Sequence, residues 1–174
     1  MLSTLVKQLD VIAHSQWYWL SSIATGFSFL VLALVYQYNF EYDPCVMCIQ
    51  IRLWVALWIL ASIIGLLTLR YDILNKIAHL AVVLVAIGLV ERSYQLLGTE
   101  RGFVFGDCGF DLGLPAWFAI DEWLPSVFRI ETSCGYTPEL LFGITMAEAL
   151  MLFSVVLLLL SFCISLVSLL RARY

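Results

Sequence analysis

Apolar residues fall in four long runs, without the alternating or one-sided pattern of soluble strands and helices. The runs cover about 17–37, 45–69, 77–97 and 144–170. Each is long enough for a helix of roughly 20 residues to cross the hydrocarbon core of a bilayer. Their Leu, Val, Ile, Ala and Phe content is continuous, whereas strands of a membrane barrel alternate polar and apolar positions. The expected fold is all-α: one domain over 1–174, a four-transmembrane-helix bundle with polar connections at about 38–44 and 98–139.

The long connection has a pattern of its own. Trp117, Ile120, Leu124 and Val127 recur at helical spacing beside Asp121 and Glu122. This predicts a short amphipathic helix in the membrane interface, opened by Pro115 and interrupted by Pro125. Ahead of it, Gly98, Gly102, Gly106, Gly109 and Gly113 predict a flexible strip. Near the N-terminus, Leu2, Leu5, Leu9 and Ile12 recur at helical spacing, so 2–13 is either a helix along the membrane surface or a frayed end. The first apolar run is too long for the core of a cleavable signal and is read as a retained helix.

Composition sharpens the class. The chain is 63% hydrophobic and 13% charged, against about 45–50% and about 25% in soluble domains. With net charge -4 it offers no basic patch to neutralise phosphates, which excludes nucleic-acid binding. Basic residues set the orientation, because they collect on the cytoplasmic side. Lys7, Arg70, Lys76, Arg171 and Arg173 share the side of the two termini. Arg101 and Arg129 lie on the other, with Arg52 and Arg92 inside or at the edge of helices. Both termini are therefore expected in the cytoplasm, and 38–44 and 98–139 outside.

The chemistry lies in the cysteines. Cys45 and Cys48 form a C-x-x-C where the second run begins, and Cys108 and Cys134 bracket the middle of the long loop. All four fall on the non-cytoplasmic side, where disulfides persist. Asp43-Pro44-Cys45 reads as a helix start, with Asp43 as N-cap and Pro44 at the first helical position. That puts Cys45 in the first turn, where unpaired N–H groups and the helix dipole stabilise a thiolate. Cys48 shares its face, and Arg52 lies one turn deeper. A cation at that depth needs a partner, such as a thiolate or an electron-rich ring oxygen, unless it snorkels to the headgroups. Two cysteine pairs on one membrane chain fit an electron relay by thiol–disulfide exchange. A zinc site of all four cysteines and an inert loop-closing disulfide are the bland alternatives.

These motifs resemble those of the bacterial disulfide bond formation protein B (DsbB) family. The matching residues are Pro44-Cys45-Val46-Met47-Cys48 with Arg52, then Cys108 and Cys134, with Leu114-Pro115-Ala116-Trp117 and Asp121-Glu122-Trp123-Leu124-Pro125 between them. The resemblance spans all four helices. It implies a quinone-dependent thiol oxidase of the bacterial inner membrane with a long periplasmic loop. A DsbA-like periplasmic partner would attack the Cys108–Cys134 disulfide, most readily at Cys108. Electrons would pass to Cys45–Cys48, and from Cys48 beside Arg52 to ubiquinone or menaquinone. Gln95 stands where one member has a histidine near the quinone, although a gap in the loop would move that match to Glu100. Ala149 replaces a tryptophan common in the family.

Three rival readings follow. The chain is a non-catalytic scaffold with structural disulfides, a variant oxidase serving a dedicated partner, or a carrier working in reverse from quinol. The last runs uphill if the partner is as oxidising as DsbA. The remaining polar and reactive residues are read as structural. Cys163 is a small buried filler, and His14 and His79 lie at the far end from the cysteines. Glu91 and Arg92 form an interfacial pair, and Glu148 is solvated at the outer boundary. Trp54 and Trp58 follow Arg52 closely enough to brush a quinone tail.

Overall fold

The computed structural model describes residues 11–104, 109, 111–115, 117–134, 137–141 and 143–170. Four helices carry the apolar runs: α1 (Gln16–Asn39), α2 (Val46–Leu67), α3 (Asp72–Glu100) and α6 (Met146–Leu170). Between α3 and α6 lie two single-turn helices, α4 (Ile120–Trp123) and α5 (Pro125–Phe128), and an antiparallel ribbon of β1 (Glu139–Leu141) and β2 (Ile144–Thr145). Each long helix has the length and composition to cross a membrane. Their outward faces present Phe27, Val31, Leu60, Leu84, Leu152 and Leu159, a surface that only lipid would cover at low cost. The chain is a multi-pass, four-helix membrane protein.

Local chemistry fixes where the helices begin. Ser15 caps α1, its Oγ accepting from the Trp17 N–H at 3.2 Å. The α6 start is a capping box: the Glu148 N–H donates to Thr145 Oγ1 at 3.3 Å, and Glu148 Oε2 accepts from the Thr145 N–H at 3.1 Å. Two otherwise orphaned donors are satisfied reciprocally. Glu148 also pairs with the exposed Arg101 beyond the end of α3, so the solvent-accessible group expected at this boundary is a joint between elements as well. Asp72 opens α3 and pairs with Lys76 one turn on.

In the bundle α3 packs against both α2 and α6, and α1 packs against α2. The ring is closed by aromatics, with Phe29 of α1 and Phe153 of α6 at 4.2 Å between centroids. Two glycines set the closeness of neighbouring helices. A Cβ at Gly65 would stand 2.4 Å from the Trp19 ring, and one at Gly88 2.5 Å from the Trp54 ring. Small residues at such crossings allow the approach that gives membrane helices their dispersion contacts. On α6 the inward stripe is Ser154, Ser161, Ser165 and Ser168, with Ser154 Oγ 3.0 Å from Ser93 Oγ on α3.

Because serines take that face, Cys163 falls on the other side of α6 and is exposed, not the buried filler expected. His79 is buried at the opposite end from the cysteine pair, with Nε2 3.1 Å from the Ala13 carbonyl oxygen and its ring 4.6 Å from that of Trp19. Of the 2–13 segment, 2–10 lie outside the described residues. Residues 11–13 form a helical turn that buries Ala13.

Candidate active site

Cys45 is the N-cap of α2 rather than a residue of its first turn, and the physical reason is long-range. The Pro44 carbonyl accepts from the Glu131 N–H at 3.0 Å and the Thr132 N–H at 3.4 Å, and Cys45 bridges Thr132 in parallel fashion. This pairing holds the backbone extended at Cys45 (φ -83°, ψ 169°), so the helix starts two residues later than Asp43-Pro44 predicts. The cap atom is the Cys45 sulfur itself, accepting from the Cys48 N–H at 3.4 Å.

The two sulfurs lie 3.1 Å apart, with Cys45 as donor. That hydrogen bond, and then burial, push the Cys45 thiol well above the ordinary cysteine range. Cys45 is thus the proton-bearing member and Cys48 the acceptor. The same 131–132 segment brings the third cysteine in: the half-buried Cys134 side chain hydrogen-bonds to Cys45. Cys108 lies outside the described residues.

Arg52, one turn below Cys48, is 7% exposed and does not reach for headgroups. Its Nη1 donates to Gln37 Oε1 at 2.7 Å and to the Val127 carbonyl at 2.8 Å, and its Nη2 donates to the Ala33 carbonyl at 3.2 Å. One guanidinium therefore ties α1, α2 and the short helix α5 together. Five fixed donors suit Arg to this task, and a point-like ammonium would not serve as well.

Beside these groups a cavity of about 300 Å³ opens between α1, α2 and the start of α6. Its walls include Cys48, Arg52 and Gln37, with apolar Phe29, Leu30, Ile51, Val55 and Leu150, while Tyr42 and Asp43 belong to its polar side. An apolar pocket with a few convergent polar groups is the usual form of a small-ligand site. Such a lining suits a small ligand with an apolar body and hydrogen-bonding groups.

Gln95 is not among the described residues that line this cavity. It accepts from Arg92 Nη1 at 3.1 Å and donates to Glu91 at 3.3 Å, so the expected Glu91–Arg92 link runs through it. Arg92 also donates to Gln50, whose Nε2 donates to the Leu112 carbonyl, tethering the strip after Cys108. Glu100 accepts from Thr137 Oγ1 at 2.7 Å. Neither Trp54 nor Trp58 lines the cavity; Trp54 covers Gly88 and Trp58 packs on Phe153.

Gln37 is the residue that the sequence reading missed. Its signal was available, since Trp19, Ser22, Gly26, Leu30, Ala33 and Gln37 step by threes and fours along one face of α1. A polar residue ending an inward stripe is a site candidate.

A membrane bundle that holds a sulfur pair at a helix mouth, a third cysteine against it and a buried cation below defines a class, the disulfide-forming membrane oxidoreductases. The chain belongs to the disulfide bond formation protein DsbB family, whose sequence pattern matches residues 15–164. It is 34% identical over 148 residues to disulfide bond formation protein B 2 of Pseudomonas aeruginosa PAO1, covering 84% of this chain and 85% of that one. It is 30% identical to disulfide bond formation protein B of Shewanella frigidimarina, covering 84% and 88%. Against disulfide bond formation protein B of Shewanella sp. MR-4 it is 33% identical, covering 78% of each.

Proposed function

We propose that this protein reoxidises a DsbA-like periplasmic thiol oxidase by disulfide exchange and delivers the electrons to membrane ubiquinone or menaquinone. The reading places it in the bacterial inner membrane, with both termini cytoplasmic and the 38–44 and 98–139 connections periplasmic. The observation that carries it is that Cys48, Arg52 and Gln37 line one largely apolar cavity.

A partner thiolate attacks Cys108 of the Cys108–Cys134 disulfide, and the second partner thiol closes the partner's own disulfide, leaving Cys108 and Cys134 reduced. Cys134, hydrogen-bonded to Cys45, attacks the Cys45 sulfur of the Cys45–Cys48 disulfide, and Cys48 departs as thiolate. Cys108 then attacks Cys134 and restores the loop disulfide, with Cys45 leaving and taking up a proton. Departure of Cys48 is favoured because the better leaving group is the sulfur better stabilised as thiolate. Arg52 lies one turn below Cys48 as it departs, and the Cys45–Cys48 hydrogen bond seen here forms only after Cys45 has left in turn and taken up its proton. A bound quinone supplies the sink for the two electrons and two protons released as Cys45–Cys48 re-forms. Arg52 and the apolar wall hold the ring against Cys48 and exclude water.

The test is anaerobic quinone reduction by purified protein with reduced DsbA as donor, comparing wild type with Cys45→Ser and Cys108→Ser. Quinone-dependent turnover lost in both variants is the expected result. Turnover that survives in either would overturn the two-pair relay.

A further inference from the structure

Among the described residues, the Arg52 network engages only the oxygen of the Gln37 amide, which stands at a wall of the cavity. Gln37 is 8% exposed, and its single hydrogen bond is the one that Oε1 accepts from Arg52 at 2.7 Å. A guanidinium has donors and no acceptor, so the amide cannot be turned the other way. Its oxygen must face Arg52, and its Nε2, with two N–H donors, is left free at a wall of the cavity. Nε2 is not among the fully buried, unpartnered polar atoms of the described residues, so it opens into the cavity, where a ligand acceptor would meet a donor already held in place.

The ligand must then present an acceptor to Gln37 while lying within reach of Cys48 and against Phe29, Leu30 and Val55. A flat ring bearing a carbonyl oxygen on an apolar body meets these demands. A phosphate or free carboxylate fits less well, because Glu41 and Asp43 stand on the same wall and would repel it, and the rest of the lining is largely apolar.

We propose that Gln37 is a quinone-binding residue that donates a hydrogen bond from Nε2 to a ring carbonyl oxygen, with Arg52 fixing the amide's orientation. This rests on the reading of the cavity as a quinone site. It assigns the ring donor to α1, whereas the sequence had directed attention to Gln95 on α3. Since an amide does not titrate, this contact is the same at every working pH.

Gln37→Glu separates the two roles of the side chain: a carboxylate keeps the acceptor that braces Arg52 and removes the donor. The experiment titrates quinone-depleted protein with ubiquinone-1 and records the infrared carbonyl stretch of bound, ¹³C-labelled ubiquinone-1. Wild type is expected to lower the frequency of one labelled carbonyl relative to the quinone in lipid. In Gln37→Glu that frequency should return toward the lipid value and the dissociation constant should rise about tenfold or more, the loss of one hydrogen bond to a buried group. Reduction of the loop disulfide by reduced DsbA, measured without quinone, should be unchanged. If Gln37→Glu does not fold, Gln37→Met, close in size and lacking both donor and acceptor, takes its place.

An unchanged dissociation constant and carbonyl frequency in a folded variant would overturn the assignment of Gln37 and leave the quinone reading standing. Wild-type protein that binds neither ubiquinone-1 nor a short-tailed menaquinone would overturn that reading and this inference with it.

Discussion

Arg52 concentrates more of the site's energetics than any other side chain. Inserting arginine at the centre of a membrane helix costs roughly 2.5–3.5 kcal/mol, less near the interface, and here the cost is offset by Gln37 and the Val127 and Ala33 carbonyls. Replacement strands those acceptors, each worth about 1–3 kcal/mol when buried and unpaired. Arg52→His is therefore expected to raise the Michaelis constant for quinone about tenfold or more, with a smaller change in that for the thiol partner. Steady-state kinetics with each substrate varied in turn checks this; equal changes in both would remove Arg52 from the quinone site. At this scale the neighbourhood of Cys45, Cys48 and Arg52 was legible, because a C-x-x-C followed one turn on by an intramembrane cation stands out in an apolar run. Gln37 was not, because one amide at a helix end reads as an interface residue until its stripe is traced.

At the scale of elements, the four long helices were legible from the apolar runs, since a bilayer leaves few other solutions for such segments. The α2 start was not, because it depends on pairing between segments far apart in sequence, and neither was the β1–β2 ribbon, a hairpin too short to leave an alternating pattern. Extended backbone at Cys45 follows from a partner strand at Thr132, and no local propensity records that. Helix contacts also carry an expectation. With a Cβ at Gly65 only 2.4 Å from the Trp19 ring, Gly65→Val should overpack the α1–α2 contact and cost about 1–3 kcal/mol. A lower thermal midpoint in detergent is the expected readout, with thiol exchange intact well below it. An unchanged midpoint would mean that Trp19 yields without cost.

Taken as a whole, the protein is a bundle with a loop held down at several points. Gln50 holds the Leu112 carbonyl, Arg52 holds that of Val127, and Glu100 accepts from Thr137. These ties keep Cys134 against Cys45. If exchange between the pairs runs through Cys134 and Cys45, Cys48→Ser strands the relay midway. A Cys45–Cys134 disulfide should then accumulate, visible by mass mapping of non-reduced peptides. A Cys45–Cys108 bond in its place would reverse the order of exchange.

The tie beside the cysteines is made by main-chain atoms: the amides of Glu131 and Thr132 and the carbonyl of Pro44. A contact built from the backbone is indifferent to side-chain identity, so this stretch is free to drift in sequence while the relay geometry is inherited unchanged. Proline is the exception, because it has no N–H to give. Glu131→Ala should exchange electrons between the pairs at the wild-type rate and Glu131→Pro at a small fraction of it, as stopped-flow quinone reduction would report. Relatives of this protein can therefore diverge freely at 131 and 132, to almost any residue but proline, and still hold this stretch against the start of the second membrane helix.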